Sequence, residues 1–426
     1  MQPATLEEWL RYQEQLNPKS IDLSLDRVIA VRDRLSLKPN FPIITVGGTN
    51  GKGSTCAMLE AILSCAGYRT GCYTSPHLLH YNERIRIAQT AASDSDICMA
   101  FSAIEAVRGD TPLTYFEFGT LAALWLFHRA GLDAVILEVG LGGRLDAVNA
   151  FDADCAVLVS VDLDHQDYLG DSIEKIGFEK AGVFRAGKPA IFSDTRVPES
   201  VIQYAAQIGA DLQLAGRDFG YQRLDTHWQF WNRERKRHAL PFPALRGVYQ
   251  LANATGVLAA LDAMRDKLPI AQQDVKRGLL EVELPGRLQV MPGRPAVVLD
   301  VAHNPHAARV LADSLGNMGF YQNTYAVFSM LEDKDIKGVV DALQRRVDQW
   351  FIAPIDHPRA APLERLRQTI TEVNAQQPVK AFSSIASAYS SAYGAAAQND
   401  RIIVFGSFYT VSDVLLARRS APGGSQ

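Results

Sequence analysis

No segment constrains this chain more than Ile43-Ile44-Thr45-Val46-Gly47-Gly48-Thr49-Asn50-Gly51-Lys52-Gly53-Ser54-Thr55, where an apolar strand turns through glycines into an apolar-periodic helix. Such a turn aims successive backbone N–H groups and the positive end of a helix at one point, which a lysine can also reach. That arrangement cradles a polyphosphate. Thr49, Asn50, Gly51, Lys52, Gly53 and Ser54 are therefore the candidate nucleotide-binding residues, with Lys52 expected to act catalytically on the phosphates. The pattern departs from the general P-loop: only three residues separate Gly47 from Gly51, and Gly53 intervenes between Lys52 and the hydroxyl pair Ser54-Thr55. A strand-to-helix corner that merely needs glycines would explain the turn. It would not explain a lysine and two hydroxyls where phosphate and Mg²⁺ need them.

With 426 residues the chain exceeds one ordinary core, and two domains are expected. The 47% hydrophobic and 21% charged content fits a globular protein, and no apolar run reaches the ~18 residues of a membrane span. The amino-terminal MQPATLEEWLRYQEQL reads as an amphipathic helix rather than a targeting segment, so the cytoplasm is the expected compartment. Five cysteines (Cys56, Cys65, Cys72, Cys98, Cys155), odd in number and without a CxxC pair, read as buried free thiols. A net charge of −4 argues against a nucleic-acid scaffold, and no membrane partner is expected. The expected partners are small molecules and the expected state is a monomer.

Beyond the cradle helix, with its apolar stripe Met58, Leu59, Ile62 and Leu63, short apolar runs alternate with helical patterns. The runs at 70–73, 134–137, 156–159 and 189–192 are nearly continuous in apolar character, as strands of a parallel sheet covered on both faces should be. From Asp211 to Leu240 the pattern becomes alternating, with Trp228, Phe230 and Trp231, and predicts a small antiparallel ribbon. The run Arg233-Glu234-Arg235-Lys236-Arg237-His238 within it reads as a solvated hairpin tip. A helix pattern from Leu251 to Lys267 is broken at Glu283-Leu284-Pro285-Gly286-Arg287, where the domain boundary is placed: residues 1–285, then 286–426. The second series has strand candidates at 296–300, 325–328, 350–353 and 402–405. The fold class is therefore α/β: a P-loop-type, mostly parallel sheet with an appended antiparallel ribbon, then a Rossmann-like carboxy-terminal domain. The Gly-, Ser- and Pro-rich tail from Arg419 to Gln426 is expected to be disordered.

In an open parallel sheet, ligands gather at the carboxyl ends of the strands. Past the second strand lies Ser75-Pro76-His77, at the third Glu138, and past the fourth Asp162, Asp164 and His165, followed by Glu179-Lys180. A hydroxyl, a carboxylate and an imidazole beside a phosphate cradle can together hold Mg²⁺, although imidazole is an uncommon Mg²⁺ ligand and His165 taken alone reads equally as a hydrogen-bonded orienting residue. The GTNGKGST turn resembles the ATP site of the Mur ligase superfamily. With Ser75-Pro76-His77-Leu78, Asn82-Glu83-Arg84-Ile85-Arg86, the 113–120 segment LTYFEFGT, the 137–147 segment LEVGLGGRLDA, Asp164-His165, Glu179-Lys180-Ala181-Gly182 and Asp300-Val301-Ala302-His303-Asn304-Pro305-His306, nearly the whole chain resembles the bacterial bifunctional dihydrofolate synthase/folylpolyglutamate synthase family.

That resemblance implies ATP and Mg²⁺, one ion or two, with Ser75, Glu138 and His165 as metal ligands. It implies a carbamylated Lys180, which turns a cation into a carboxylate-like ligand, and catalytic roles for Lys52, His165 and Lys180. It adds Asn253, Arg287, Asp300, Val301, Ala302 and His303 as nucleotide contacts, the second domain closing over ATP. For a pterin it implies Asp22, Leu23, Thr114, Tyr115, Phe116, Glu117, Leu145, Asp146 and Ala147. Phe116 can stack on a flat heterocycle, and Asp146 can accept paired hydrogen bonds from an amino-pyrimidinone edge. Candidates for binding L-glutamate are the Gly406-Ser407 turn, Arg84 and His306, with His357 a further one. The implied reaction is ATP-dependent addition of L-glutamate to dihydropteroate and to the γ-carboxylate of reduced folates through an acyl phosphate. A monofunctional folylpolyglutamate synthase, a peptidoglycan-precursor Mur ligase and a nucleotide-dependent switch are the competing expectations.

Overall fold

A computed structural model describes residues 3–17, 19 and 21–420. The chain divides into two compact units, Met1–Ala244 with Gln250–Glu283, and Leu245–Tyr249 with Leu284–Gln426.

The first unit is built on eight strands: β1 Ile43–Gly47, β2 Thr70–Tyr73, β3 Ile85–Ile87, β4 Thr90–Ala91, β5 Ala134–Glu138, β6 Cys155–Leu158, β7 Pro189–Phe192 and β8 Asp211–Leu214. Their order is β4-β3-β2-β5-β1-β6-β7-β8. Every pair is parallel except β2 with β3 and β3 with β4. The buried runs of β1, β5 and β6 are apolar on both faces because helices cover both sides of the sheet. β1 lies between β5 and β6, with Val46 level with Glu138 and Gly47 level with Leu158. The chain leaves β1 toward β2 on one side and reaches β6 on the other, so the switch point of the sheet falls at the exit of β1. The helix that follows, Lys52–Cys65, is buried continuously from Ser54 to Leu63 rather than along one stripe. Helices Gln250–Ala263 and Gln272–Glu281 pack on its outer side.

Two expectations are corrected here. Asp211–Leu214 is the outer parallel strand β8, paired with β7, and the antiparallel ribbon is only β9 Phe219–Arg223, β10 Trp228–Asn232 and β11 Lys236–Leu240. The arginine run is not simply solvated: Arg233 pairs with the carboxylate of Asp218, and Arg235 and Arg237 reach Oδ1 of Asp262 at 2.8 and 2.7 Å. Both carboxylates are buried. The run thus ties the ribbon to helix Gln250–Ala263.

The second unit contains β12 Gln289–Met291, β13 Ala296–Leu299, β14 Thr324–Phe328, β15 Gln349–Ile352, β16 Val379–Ala381 and β17 Arg401–Phe405. Their order is β12-β13-β17-β14-β15-β16, parallel except for the β12 edge. Phe328, Trp350 and Phe405 pack ring against ring at its centre. The expected disordered tail is helical at Arg419 and Ser420, within helix Phe408–Ser420, and residues 421–426 lie outside the described residues. All five cysteines are free thiols; Cys56, Cys72 and Cys155 are buried as expected, whereas Cys65 and Cys98 are only partly so. Among the described residues no helix is long and apolar enough to cross a membrane.

Candidate active site

The cradle is shaped by two glycines. Gly48 has φ +139° and Gly51 φ +88°, where L side chains are strained. A Cβ on Gly48 would lie 3.1 Å from the backbone nitrogens of Val159 and Ser160, and one on Gly51 2.8 Å from Oδ1 of Asn253. The exit loop of β6 pins the turn. Thr49 N–H donates to the Ser160 carbonyl at 2.8 Å, and the Ser160 hydroxyl bonds both N–H and C=O of Asn50 at 3.2 Å. The Thr49 hydroxyl accepts from Asp162 N–H at 3.0 Å and donates to the Asp162 carbonyl at 3.1 Å. Thr49 is therefore occupied in bracing the loop. Lys52 Nζ donates to the carbonyls of Gly48 and Thr49, 3.0 and 3.4 Å away. The helix starts at Lys52, so the N–H groups of its first turn have no intrahelical acceptor and face the cradle. Behind them runs a buried amide relay. Gln250 Nε2 donates to Ser54 Oγ at 3.3 Å, and Asn253 Nδ2 donates to Gln250 Oε1 at 3.0 Å.

The metal-donor candidates leave strands on either side of β1. Ser75 follows β2 and its N–H donates to Glu138 Oε2 at 3.1 Å, which holds these two residues together. Glu138 ends β5 and is only 3% exposed. His165, past β6, has φ +50°; its N–H donates to Asp164 Oδ1 at 2.9 Å, and its Nε2 lies 4.0 Å from the same oxygen. Among the described residues no three His, Cys, Asp or Glu side chains gather as a metal site. A buried carboxylate beside a hydroxyl fits a hard cation that takes its remaining oxygens from phosphate and water, as Mg²⁺ does. Cys56 and Cys72 are not competing ligands: burial first, with the nearby carboxylates Glu138 and Glu60 adding to it, keeps both thiols protonated.

Lys180 lies in helix Ile173–Ala181 and is 5% exposed. Burial, reinforced by the positive charge of Lys52, lowers its pKa to about 7, against the pull of Asp164 and Asp146. The glycine-rich segment 140–146 is fastened beside it. Arg144 N–H donates to the Glu179 carbonyl at 2.8 Å, and the Arg144 guanidinium grips Glu179 Oε1 at 2.8 and 3.1 Å.

Asp146, between Leu145 and Ala147, closes that segment. Its oxygens accept from Leu141 N–H at 2.8 Å and Val148 N–H at 3.0 Å, and burial outweighs those bonds to raise its pKa to about 6. Phe116 is half-buried against Gly140, its ring 5.8 Å from that of Tyr73. Thr114 and Glu117 form a capping box on helix Tyr115–Arg129: the Thr114 hydroxyl accepts from Glu117 N–H at 3.2 Å and Glu117 Oε2 accepts from Thr114 N–H at 2.7 Å. Glu117 also pairs with Arg27 at 3.1 Å, and Arg27 bonds Asp22, next to Leu23, through its carboxylate (2.8 Å) and carbonyl (2.7 Å). The Tyr115 and Tyr81 rings lie 5.5 and 5.4 Å from the Arg84 guanidinium, whose Nε donates to His77 Nδ1 at 2.8 Å. Burial and then Arg84 lower the His77 pKa to about 4, which leaves a neutral ring as acceptor.

In the second unit the candidates surround Phe408. The Arg287 guanidinium lies 5.1 Å from its ring and the His303 ring 6.2 Å. His303 Nδ1 is 2.8 Å from the Val301 carbonyl. Asp300 accepts from Leu288 and Ala302 N–H, both at 2.8 Å; desolvation raises its pKa while Arg287 opposes that rise. Ser407 is buried, with Oγ accepting from Tyr409 N–H at 3.2 Å. Of the remaining glutamate candidates, His357 stacks on Tyr409 at 4.7 Å and His306 meets the Tyr249 ring at 5.8 Å, while Arg84 belongs to the first unit.

Ser160, Gln250, Arg27, Phe408 and Tyr409 escaped the sequence reading. Gln250 carried a signal, lying one helical turn before Asn253. Arg27 lies five residues past Asp22 in sequence, and nothing in that spacing shows that it also pairs with Glu117. Ser160 had none, because its role depends on strand order.

A cradle at the switch point, followed by a second mostly parallel sheet, defines a nucleotide-dependent ligase of the Mur type. Residues 46–261 match the Mur ligase middle domain and residues 286–408 the Mur ligase glutamate ligase domain. The dihydrofolate synthase/folylpolyglutamate synthase of Escherichia coli K12 is 45% identical over 419 residues, covering 97% of this chain and 96% of that protein. The structure of E. coli FolC in complex with DHPP and ADP superposes with a TM-score of 0.93 at 44% identity, covering 98% and 99% of the two chains. A bifunctional folylpolyglutamate synthase/dihydrofolate synthase with Mn, AMPPNP and L-glutamate bound gives a TM-score of 0.90 at 45% identity, covering 98% of each. The chain belongs to the dihydrofolate synthase/folylpolyglutamate synthase family of Mur ligases.

Proposed function

We propose that one site in this chain carries out both glutamate additions by way of an acyl phosphate. The chain is an ATP-dependent ligase of the dihydrofolate synthase/folylpolyglutamate synthase kind, joining glutamate to folates. The observation that carries the reading is the pinned cradle: a helix N-terminus and Lys52 directed at one point, with Glu138 and Ser75 fastened together at the adjoining strand ends. A carboxylate acylates poorly because oxide is its leaving group. Phosphorylation by ATP makes the amide reachable, and the amine of L-glutamate then displaces phosphate. In this reading Lys52 and the first-turn N–H groups hold the transferring phosphoryl group, Asn253 orients the nucleotide, and Arg287, Asp300, Val301, Ala302 and His303 supply further nucleotide contacts. Ser75, Glu138 and His165 would hold Mg²⁺, which supplies charge neutralisation worth several kcal/mol, as an order of magnitude.

Lys180 is assigned as a carbamate. At a pKa of about 7 half of its amine is neutral at neutral pH, the form whose nitrogen can attack CO₂ and release a proton. The product would add anionic oxygens near Lys52 and Asp164, the residue before His165. Phe116 is assigned to stack on the pterin, with Asp22, Leu23, Thr114, Tyr115, Glu117, Leu145, Asp146 and Ala147 forming the wall around it. Ser407 and Arg84 are assigned to substrate carboxylates. We assign phosphate and pterin binding to residues 1–285 and the remaining nucleotide contacts and glutamate to 286–426, in a monomeric cytoplasmic enzyme acting on small molecules.

The test of the acyl phosphate is isotopic. Dihydropteroate labelled with ¹⁸O in its carboxylate, turned over with ATP and L-glutamate, should pass one ¹⁸O into the released phosphate. Unlabelled phosphate alongside product would overturn the mechanism.

A further inference from the structure

We propose that Arg86 is a positioning residue that sets where Ser75 stands relative to the cradle helix. The inference rests on Ser75 being a metal donor, as read above. Arg86 lies on β3, level with Cys72 of β2. Its guanidinium spends its donors on three different parts of the fold. Nε and Nη2 both donate to Oε2 of Glu60, at 2.9 and 2.7 Å; Glu60 is buried in helix Lys52–Cys65, about two turns beyond Lys52. Nη2 also reaches Sγ of Cys72 at 3.2 Å. Nη1 donates to the Thr74 hydroxyl at 3.3 Å and to the Glu83 carbonyl at 3.1 Å. Glu83 in turn accepts from N–H of Leu78, Leu79 and His80, so the turn that follows Ser75 hangs from the same cluster.

Ser75 is consequently held on both sides. Its own N–H is on Glu138 Oε2, and the preceding residue is fixed through its hydroxyl to Arg86 and through its N–H to the Arg84 carbonyl at 2.9 Å. The cluster is ill-suited to stabilisation as such. Both short bonds to Glu60 fall on one oxygen, and Oε1 of Glu60 is buried with no hydrogen-bond partner among the described residues. Well-packed apolar residues often replace a buried ion pair at no loss of stability. A planar fork with fixed donor directions instead offers geometry, here a rigid link from helix to strand end. The neighbouring thiols are held neutral by burial, so the charge of Arg86 is matched by Glu60.

The test measures metal affinity separately from turnover. Mn²⁺ binding in the presence of a non-hydrolysable ATP analogue would be followed by electron paramagnetic resonance, with melting temperature recorded in parallel. Ser75→Ala and the double replacement Glu60→Leu/Arg86→Met should each weaken Mn²⁺ binding about tenfold, the scale typical of residues that orient metal ligands. The triple variant should lose little more than either, and the double variant should melt near the wild type. If it fails to fold, Arg86→Lys and Glu60→Gln take its place and should show a smaller loss of affinity in the same direction. Wild-type affinity in folded Arg86 variants, with Ser75→Ala weakened, would overturn the positioning role alone. Wild-type affinity in Ser75→Ala would overturn the donor reading beneath it.

Discussion

The proposed phosphate cradle and the proposed pterin wall lie on the same unit, yet their side chains are braced in different ways. In the cradle the loop is braced mainly by Thr49, Ser160 and Asp162, while the proposed ligand-facing groups are the first-turn N–H groups and Lys52, whose Nζ also donates to the Gly48 and Thr49 carbonyls. In the wall the braces are themselves among the proposed binding groups. Thr114 and Glu117 cap a helix, Glu117 and Asp22 share Arg27, and Asp146 accepts two backbone N–H groups. The proposed ligand-facing groups of the cradle can therefore be removed at little cost to the fold, whereas removing Asp22, Thr114, Glu117 or Asp146 from the wall should cost stability. Phe116, packed on Gly140 and Tyr73, contributes to the wall by ring contact rather than by side-chain hydrogen bonds.

The sharpest form of this contrast is Lys52→Ala. It should lower turnover by about a hundred- to a thousandfold, the scale of losing one preorganised electrostatic group at the transferring phosphoryl, with an unchanged circular dichroism spectrum. Appreciable turnover in a folded variant would remove the cradle from the mechanism. Lys180→Ala should be nearly as damaging, and short carboxylates added to the assay should restore part of the activity; full activity without them would refute a catalytic carbamate.

The wall should behave differently. Thr114→Ala removes a helix cap and should cost about 1 kcal/mol of stability, visible in urea titration, with at most a small change in KM for dihydropteroate. A large KM increase at unchanged stability would show that Thr114 serves substrate first. The last effect concerns pH. The Asp146 pKa is raised from its ordinary 3.8 to about 6, so its contribution to stability is present below about pH 4 and lost as pH rises through about 6. Asp146→Asn should flatten that part of the stability profile, by up to about 3 kcal/mol between pH 4 and 7. A parallel profile for the two proteins would show that burial does not govern this carboxyl group.

The elements most legible in the sequence were those whose apolar runs are buried on both faces. β1, β2, β5, β6 and β7 lie within a residue of where their hydrophobic runs place them, as do β13, β14, β15 and β17. The edges were not legible: β3, β4, β12 and β16 are two to three residues long, and β8 reads as a ribbon strand because one face is exposed. Sequence order exposed the cradle, whose parts are contiguous. It hid the Ser54–Gln250–Asn253 relay and the Arg27 link between Asp22 and Glu117, because those depend on which helices pack together. Lys180 could be singled out by resemblance; its lowered pKa could not, since that follows from burial next to Lys52.

The most direct test of the central claim is ATP-dependent phosphate release by the purified protein with Mg²⁺ and L-glutamate, comparing dihydropteroate, tetrahydrofolate and no acceptor, with product masses measured. One site serving both reactions predicts release with each acceptor, a mass increase of one glutamate residue, and loss of both activities together in Lys52→Ala. Release that ignores the acceptor, or a Lys52 variant that keeps one activity while losing the other, would contradict it.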